Sequence, residues 1–309
     1  MLEKEPQFFG KPPSVESDSA TAGKEESSKP TPEKALELEK KPGKEKPTER
    51  LEDFIKKMSS ELKKEGVPID KKGRINIEEF KGIHPKEVIE SDKKWIEDLK
   101  GRWERAAVSE SRQSWVLSKE QIIQQKRTGE VWEMLSTAIL HKNLGKDFIV
   151  ARTSEYDDAR NKVDNVILDK KSGNIVCAFD EIGAFPGQKF KEKDPRFKDK
   201  EKKILERNWL KGGADLKYGI SLEKKQGKLE LKKGPVYHIP LFYFALPKDK
   251  IEKGLKTFSP EGISSEEKEI FEGFIDSFKE QTETMEKEPL HQKVKERLEL
   301  FEKYMLELK

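Results

Sequence analysis

The sequence predicts an α/β protein whose core runs helix, three-strand meander, helix, strand, with helical N- and C-terminal additions and a disordered N-terminal tail. Two observations predict this class. Apolar residues recur at helical spacing before residue 142 and after residue 266, whereas short apolar runs of strand length lie between these points. In addition, 40% of the residues are charged and only 33% are apolar, so part of the chain cannot contribute to a packed core.

Composition and periodicity divide the chain into four predicted parts. Residues 1–50 contain mainly Lys, Glu, Pro, Ser and Thr, and they bury too little apolar surface to offset the entropy of ordering the chain. They are predicted to form a disordered low-complexity tail. Apolar residues at helical spacing begin at Leu51, which predicts a helical region over 51–125. The α/β core is predicted at 126–250 and a helical C-terminal tail at 251–309.

Three short apolar runs predict the meander of the core. They are FIVAR at 148–152, VDNVIL at 163–168 and NIVCAFDEI at 174–182. The turn residues 170–173 connect the last two runs, which predicts a hairpin. The stretch before the meander, 121–142, carries a broad apolar face and is predicted to be the first core helix.

The second half of the core begins with a charged segment, 196–211, whose apolar residues recur at helical spacing and which two glycines follow. It is predicted to be the second core helix. Further along, VYHIPLFYFAL at 236–246 predicts one buried strand, although Pro240 is unusual inside a strand. From residue 266 onward the pattern predicts two helices broken at Pro289. These C-terminal helices could pack on their own domain, or bind a protein partner or a second copy of the chain.

Composition also limits the classes of function. The one cysteine, Cys177, lies in an apolar run, so no disulfide framework exists and a reducing compartment is expected. The longest apolar stretch, 239–246, is far shorter than the roughly 20 residues of a membrane helix, and the first ten residues lack the apolar core of a signal peptide. We therefore expect a cytoplasmic protein without a membrane partner. The formal charge of +3 is too small to identify a polyanionic partner.

Two aspartates interrupt the apolar runs of the predicted hairpin. Asp164 enters one strand and Asp180 leaves the next, so both lie at the open end of the hairpin and are expected to be neighbours. Two adjacent carboxylates repel each other unless a hard cation such as Mg²⁺ or Mn²⁺ accepts oxygen ligands from both. A third carboxylate could come from Glu130 or Glu133 on the preceding helix. Alternatively, both aspartates serve only the local backbone.

This order of elements and acidic residues resembles the PD-(D/E)XK nuclease-like superfamily over about residues 126–246. The resemblance implies a restriction-endonuclease-like core and a metal-dependent phosphodiesterase that acts on DNA or RNA with Mg²⁺ or Mn²⁺. It also implies an acid on the first helix, an Asp at the start of the second strand and an acid-x-Lys triplet at the end of the third strand. These positions map onto Glu130 or Glu133, onto Asp164 and onto Asp180.

The chain departs from the pattern of that superfamily at the lysine. Ile182 stands two positions after Asp180, where the lysine of the triplet is expected. Lys162 shares a strand face with Asp164 at a period of two residues, so it is the predicted replacement. If no lysine takes that place, the alternative is a catalytically inactive nuclease-like domain that serves as a nucleic-acid-binding or protein-interaction module.

A basic run lies next to the predicted site. Residues 189–203 carry eight Lys or Arg and four Asp or Glu, a net charge of +4 that could follow a phosphate backbone. Such a run can equally be a solvated helix face. The predicted nucleic-acid-binding residues in it are Lys189, Lys191, Lys198 and Lys203.

Overall fold

The computed structural model describes residues 46–113, 119–183, 195–225 and 228–307. The predicted tail therefore lies outside the described residues except for its last five, where the first helix begins at Pro47, four residues before the predicted start at Leu51.

The described residues form eight α-helices, six β-strands and one short 3₁₀ turn at Ile77–Phe80. The helices are α1 (Pro47–Lys64), α2 (Lys86–Gln113), α3 (Lys119–Leu144), α4 (Glu155–Asn161), α5 (Pro195–Leu210), α6 (Lys248–Thr257), α7 (Ser265–Met285) and α8 (Gln292–Glu307). The strands are β1 (Phe148–Arg152), β2 (Asn165–Asp169), β3 (Ile175–Gly183), β4 (Ala214–Lys225), β5 (Lys228–Ile239) and β6 (Leu241–Leu246). The predicted mixed α/β class is confirmed.

A mixed four-stranded sheet forms the centre of the fold, with strand order β1-β2-β3-β6. The first three strands are antiparallel neighbours, and β6 lies parallel to β3. Parallel neighbours require a crossover connection, which α5 and the β4–β5 ribbon provide between them. β4 and β5 pair with each other in a separate two-stranded antiparallel sheet.

The core side chains explain why these segments fold as they do. Every residue of β1 and β2 is buried, and α3 buries Trp132, Leu135 and Ala138. Continuous apolar runs of this kind are typical of strands that are covered on both faces. Cys177 is buried in β3, as its apolar surroundings predict.

Two elements differ from the prediction. The segment between β1 and β2 contains the seven-residue helix α4, which the predicted meander lacked; the Ser154 side chain caps it by accepting a hydrogen bond from the Asp157 N–H. The predicted single strand at 236–246 is wrong, because it divides at Pro240 into β5 and β6, which belong to different sheets. The break occurs there because proline has no N–H to donate to a ladder, and the left-handed backbone of His238 (φ 60°) adds to the change of direction.

The C-terminal helices pack on the core of the same chain. Phe274 of α7 lies against Phe179 of β3, with ring centroids 4.8 Å apart, and Phe278 lies 4.7 Å from Phe242 of β6. On α8, the Arg297 guanidinium donates a hydrogen bond to the Ile175 carbonyl. None of the described helices combines the length and the apolar character that a membrane span requires.

Candidate metal centre

The β2–β3 hairpin brings two predicted carboxylates together. Asn165 pairs with Phe179, and the same antiparallel register continued by one residue sets Asp164 opposite Asp180. The two side chains lie within hydrogen-bonding reach of each other. Asp164 Oδ2 also accepts a hydrogen bond of 2.7 Å from the Glu181 N–H, which anchors the carboxylate at the strand end. Both aspartates are only 8% exposed.

Two further carboxylates complete a cluster around Asp164. One oxygen each of Glu133, Asp158 and Asp164 lie within 4.8 Å of one another. Such a cluster of three acidic residues could bind a metal ion, because hard divalent cations take carboxylate oxygens as ligands. Asp158 was not predicted, since it lies on the helix that the sequence analysis missed.

The structure also distinguishes the two glutamates that the sequence left open. Glu133 lies in the cluster, whereas Glu130 is 44% exposed and forms an ion pair of 2.9 Å with Lys72. Although burial opposes it, the hydrogen bond from Lys72 and its charge lower the pKa of Glu130. About one helical turn, of 3.6 residues, separates the two positions on α3, so a small difference in helix rotation decides which of them faces the cluster.

Two arginines lie beneath the cluster. Arg74 donates to Glu133 at 2.7 Å and to Asp158 at 2.9 Å, and the fully buried Arg152 forms a second ion pair with Glu133. Burial works against the charge of Arg74, yet the carboxylates of Asp158, Glu133 and Asp164 raise its pKa. Because both arginines bind Glu133 through Oε2, its other oxygen is left for a different ligand.

Glu181, the residue that follows Asp180, supplies a fifth carboxylate. Its Oε1 accepts a hydrogen bond of 2.7 Å from the Ser136 hydroxyl and another from the Asn165 amide, so α3 and β2 hold the side chain in place. Its Oε2 is buried and has no hydrogen-bond partner among the described residues. A buried polar atom without a partner is costly, so this oxygen is available to a proton or to a cation.

The lysine nearest the aspartates is one that the sequence analysis did not name. Lys200 of α5 forms an ion pair of 2.7 Å with Asp180, from the helix that follows the third strand. Lys162, the predicted replacement, is the C-cap of α4 in a left-handed conformation (φ 52°), and its side chain is exposed at the edge of the same cleft. The rotation of α5 about its axis directs Lys200 toward the sheet. The two-residue period of a strand, which predicted Lys162, carries no information about that rotation.

We call Glu133, Asp158, Asp164, Asp180 and Glu181 the acidic floor. Three cations form direct ion pairs with the acidic floor: Arg74, Arg152 and Lys200. When all five carboxylates are ionised, these three cations leave an excess of two negative charges among the described residues. A divalent cation would neutralise that excess, and a donor set made only of oxygen atoms suits a hard cation.

Burial is the largest cause of three raised pKa values in the acidic floor. Burial raises the pKa of Asp164 well above its usual range, and the charges of Glu181, Asp180 and Glu133 raise it further. Burial raises the pKa of Glu181 to about 7, against the hydrogen bond from Ser136. Burial also raises the pKa of Asp180, although Lys200 opposes this. Protons therefore compete with cations for these oxygens.

The raised pKa of Glu181 predicts a pH effect on stability. Between pH 4.5, its ordinary pKa, and about pH 7, the folded protein holds a proton that the unfolded chain has lost, so this group stabilises the fold less as pH rises. In EDTA, we expect Glu181→Gln to remove a slope of about 1.4 kcal/mol per pH unit in this window. Urea unfolding at pH values from about 5 to about 8 measures it. Glu130→Gln is the control and keeps the wild-type slope; an unchanged slope in Glu181→Gln contradicts the prediction.

A cleft of about 710 Å³ opens over the acidic floor. All five carboxylates of the floor line it, together with the start of β6 and one side of α5. Five basic side chains and one further carboxylate, Glu206, also line the cleft above the floor, and this excess of cations fits an anionic substrate that meets a metal ion. The five basic residues, which form the cationic rim, are Lys162, Lys200, Lys203, Arg207 and Lys211.

The predicted nucleic-acid-binding lysines separate into three groups. Lys203 lines the cleft, and its amine lies 2.6 Å from Asp199. Lys198 is exposed on α5 but does not line the cleft. Lys189 and Lys191 lie outside the described residues.

Comparisons with known proteins leave the chain without an assigned family. No family model matches the chain, and neither the curated proteins nor the solved structures contain a match. The function must therefore be inferred from the residues of the cleft.

Proposed function

We propose that this protein is a metal-dependent phosphodiesterase, a nuclease that acts on DNA or RNA and whose core is related to the PD-(D/E)XK superfamily. The order of elements supports the relationship: α3, the strands β1 to β3, α5 and β6 follow one another as that core requires, with α4 and the β4–β5 ribbon as additions. The acidic residues also occur in the expected order along these elements.

One observation carries the proposal. A buried acidic floor, whose five carboxyl groups outnumber their ion-paired cations by two, lies in the same cleft as five basic side chains. A phosphodiester is an anion that carboxylates alone would repel, so this combination suits a phosphate only when a cation covers the floor. The Glu181 Oε2 atom, which is buried without a partner among the described residues, supplies a further oxygen that a cation could take as a ligand.

The residues divide into two roles. Glu133, Asp158 and Asp164 hold Mg²⁺ or Mn²⁺, and Asp180 and Glu181 border the same position. When bound, the cation supplies a polarised phosphate and a more acidic water molecule. The Arg74 and Arg152 guanidiniums orient Glu133 beneath it through their ion pairs, as partners behind a ligand commonly do.

Lys200 takes the place of the lysine that Ile182 displaces. Its amine is held 2.7 Å from Asp180 at the edge of the acidic floor, where it can stabilise the charge that develops on the phosphate oxygens. Lys162 is exposed at the rim and is proposed only as a contact to substrate. Ordered contacts to Asp180 make Lys200 the better choice, since catalysis depends on groups positioned in advance.

A second candidate function rests on the absence of a lysine at position 182. Ile182 occupies the lysine position and Asp180 already neutralises Lys200, which favours a catalytically inactive module that binds nucleic acid through the cationic rim. A protein-binding surface has no comparable chemical signature among the described residues.

A cleavage assay tests the role of Lys200. Wild-type protein with Mn²⁺ is expected to cleave labelled single-stranded DNA, duplex DNA or RNA, and EDTA is expected to stop it. We expect Lys200→Ala to lower the cleavage rate roughly 100- to 1,000-fold, the usual cost of removing one charge-stabilising donor, while Mn²⁺ binding measured by calorimetry persists. Lys202→Ala, on the same helix and 73% exposed, is the matched control and is expected to retain the wild-type rate.

The outcomes of that assay separate the two functions. Full activity in Lys200→Ala overturns the role of this lysine. Wild-type protein that binds Mn²⁺ and nucleic acid without cleaving any of the three substrates supports the inactive module instead.

A further inference from the structure

Four basic residues form a stripe along one side of α5. Lys200, Lys203, Arg207 and Lys211 are spaced three, four and four residues apart, and all four line the cleft. At about 100° per residue, they lie within roughly 80° of one another around the helix. Lys211 follows the last helical residue, but its N–H still bonds to the Arg207 carbonyl at 3.1 Å, so it continues the helical path. We call these four residues the cationic stripe.

The members of the cationic stripe differ in depth. Lys200 reaches the acidic floor through Asp180, and Arg207 donates to the Asn161 carbonyl on the opposite wall. Lys203 is exposed near the rim and Lys211 is exposed at the far end. The stripe therefore leads from the proposed metal position out of the cleft over about eleven residues, a distance of roughly 16 Å.

An apolar side chain accompanies the stripe. Leu210 is 80% exposed and also lines the cleft. One exposed leucine is ordinary on a protein surface, but this one lies beside a row of cations. The row of cations suits a polymer with a charged backbone, and the leucine adds apolar surface that the faces of unpaired bases can contact.

We propose that the cationic stripe binds the backbone of one strand of single-stranded nucleic acid, with the phosphate to be cleaved at the Lys200 end; this rests on the proposed phosphodiesterase function. Asp164, Asp180 and Glu181 are each only 8% exposed. A flexible single strand can bend a phosphate down to such a recessed floor, whereas a duplex keeps its phosphates on a stiff cylinder.

Binding with Ca²⁺ in place of Mn²⁺ tests the inference apart from cleavage, because Ca²⁺ is also a hard cation that takes carboxylate oxygens and can cover the acidic floor. Fluorescence anisotropy in Ca²⁺ compares a labelled single strand of about 12 nucleotides with the blunt duplex of the same sequence, at several salt concentrations, and a denaturing gel checks that the strand stays intact. The test variant is Lys203→Ala with Lys211→Ala. The matched control is Lys198→Ala with Lys202→Ala, which removes the same charge from the opposite side of the same helix.

The test and control variants are expected to bind nucleic acid differently, because their lysines lie on opposite sides of α5. Wild-type protein binds the single strand at least about 10-fold more tightly than the duplex, and the test variant loses at least about 10-fold of that affinity. The test variant also lowers the slope of log affinity against log salt by about 1.4, which corresponds to two lost phosphate contacts at about 0.7 each. The control variant changes both quantities little, by less than about 2-fold in affinity.

Contrary results identify which proposal fails. Equal or tighter binding of the duplex, or an equal loss of affinity in the control variant, overturns the single-strand surface. If the wild-type protein nevertheless cleaves nucleic acid with Mn²⁺, the proposed phosphodiesterase function still stands. Conversely, absence of cleavage together with binding that depends on the Lys203 side of α5 overturns the phosphodiesterase and retains the strand-binding surface.

Discussion

We expect Asp164→Asn to abolish Mn²⁺ binding and at the same time to raise the melting temperature of the metal-free protein. Asp164 is the carboxylate that the other four members of the acidic floor surround; burial raises its pKa, and their charges raise it further. Asparagine keeps an oxygen that can accept the Glu181 N–H but removes one of the two uncompensated charges. The folded protein without metal is therefore relieved of repulsion, whereas the cation loses its central ligand.

Two measurements check this prediction together. Calorimetry with Mn²⁺ is expected to show a loss of affinity of at least about 100-fold, because losing a partner behind a metal ligand already costs about 10- to 100-fold. Thermal unfolding in EDTA is expected to show a higher midpoint than wild type. Glu130→Gln is the matched control: it lies on α3 outside the cluster, and it is expected to bind Mn²⁺ like wild type. A variant that keeps its Mn²⁺ affinity would show that Asp164 is not a metal ligand. A variant that melts lower in EDTA would show that the Asp164 carboxylate stabilises the metal-free fold.

The largest loss of stability is expected for Arg152→Met. The Arg152 side chain is fully buried and binds both the Glu133 carboxylate and the Lys72 carbonyl. Methionine fills similar space but leaves part of the negative charge of Glu133 without its partner. Breaking a buried pair in this way costs about 3 to 5 kcal/mol, which corresponds to a fall of roughly 10 °C in a domain of this size.

A double variant separates lost charge from lost packing. Adding Glu133→Gln to Arg152→Met is expected to recover most of the free energy of unfolding, because no unpaired carboxylate then remains beside residue 152. Urea unfolding followed by circular dichroism gives these values. Lys72→Met, which removes the exposed partner of Glu130, is the control and is expected to cost less than about 1 kcal/mol. If the double variant is no more stable than Arg152→Met, packing and not charge holds this arginine in the core.

The strand pattern of the core was predictable because its signals are local. The apolar runs of β1, β2 and β3 lie within one residue or two of their predicted ends. The short turn between β2 and β3 predicts the hairpin, and a β-bulge between Ile167 and Leu168 shifts the register by one residue, so that Asp164 lies opposite Asp180. Local signals also explain the errors. Helix α4 is short and polar, so its only indication was the Ser154 cap, and Pro240 indicated a break in the predicted strand that the surrounding apolar residues obscured.

The rest of the candidate centre depends on contacts between distant parts of the chain. Arg74 reaches Glu133 across 59 residues and Asp158 across 84 residues. No spacing rule relates such positions, since the packing of the segment before α2 against the sheet decides them. The choice of Glu133 over Glu130, and of Lys200 over Lys162, depends on how α3 and α5 are rotated against the sheet.

The sequence by itself determined the α/β class, the hairpin and the pair of aspartates at its open end, because hydrophobic periodicity and turn residues act over a few positions. Only the tertiary structure decided that five carboxylates and three cations share one buried floor. Whether a buried charge is compensated depends on every group within a few ångströms, whatever its position in the chain. The excess of negative charge, from which the proposed metal site follows, is therefore a property of the folded protein.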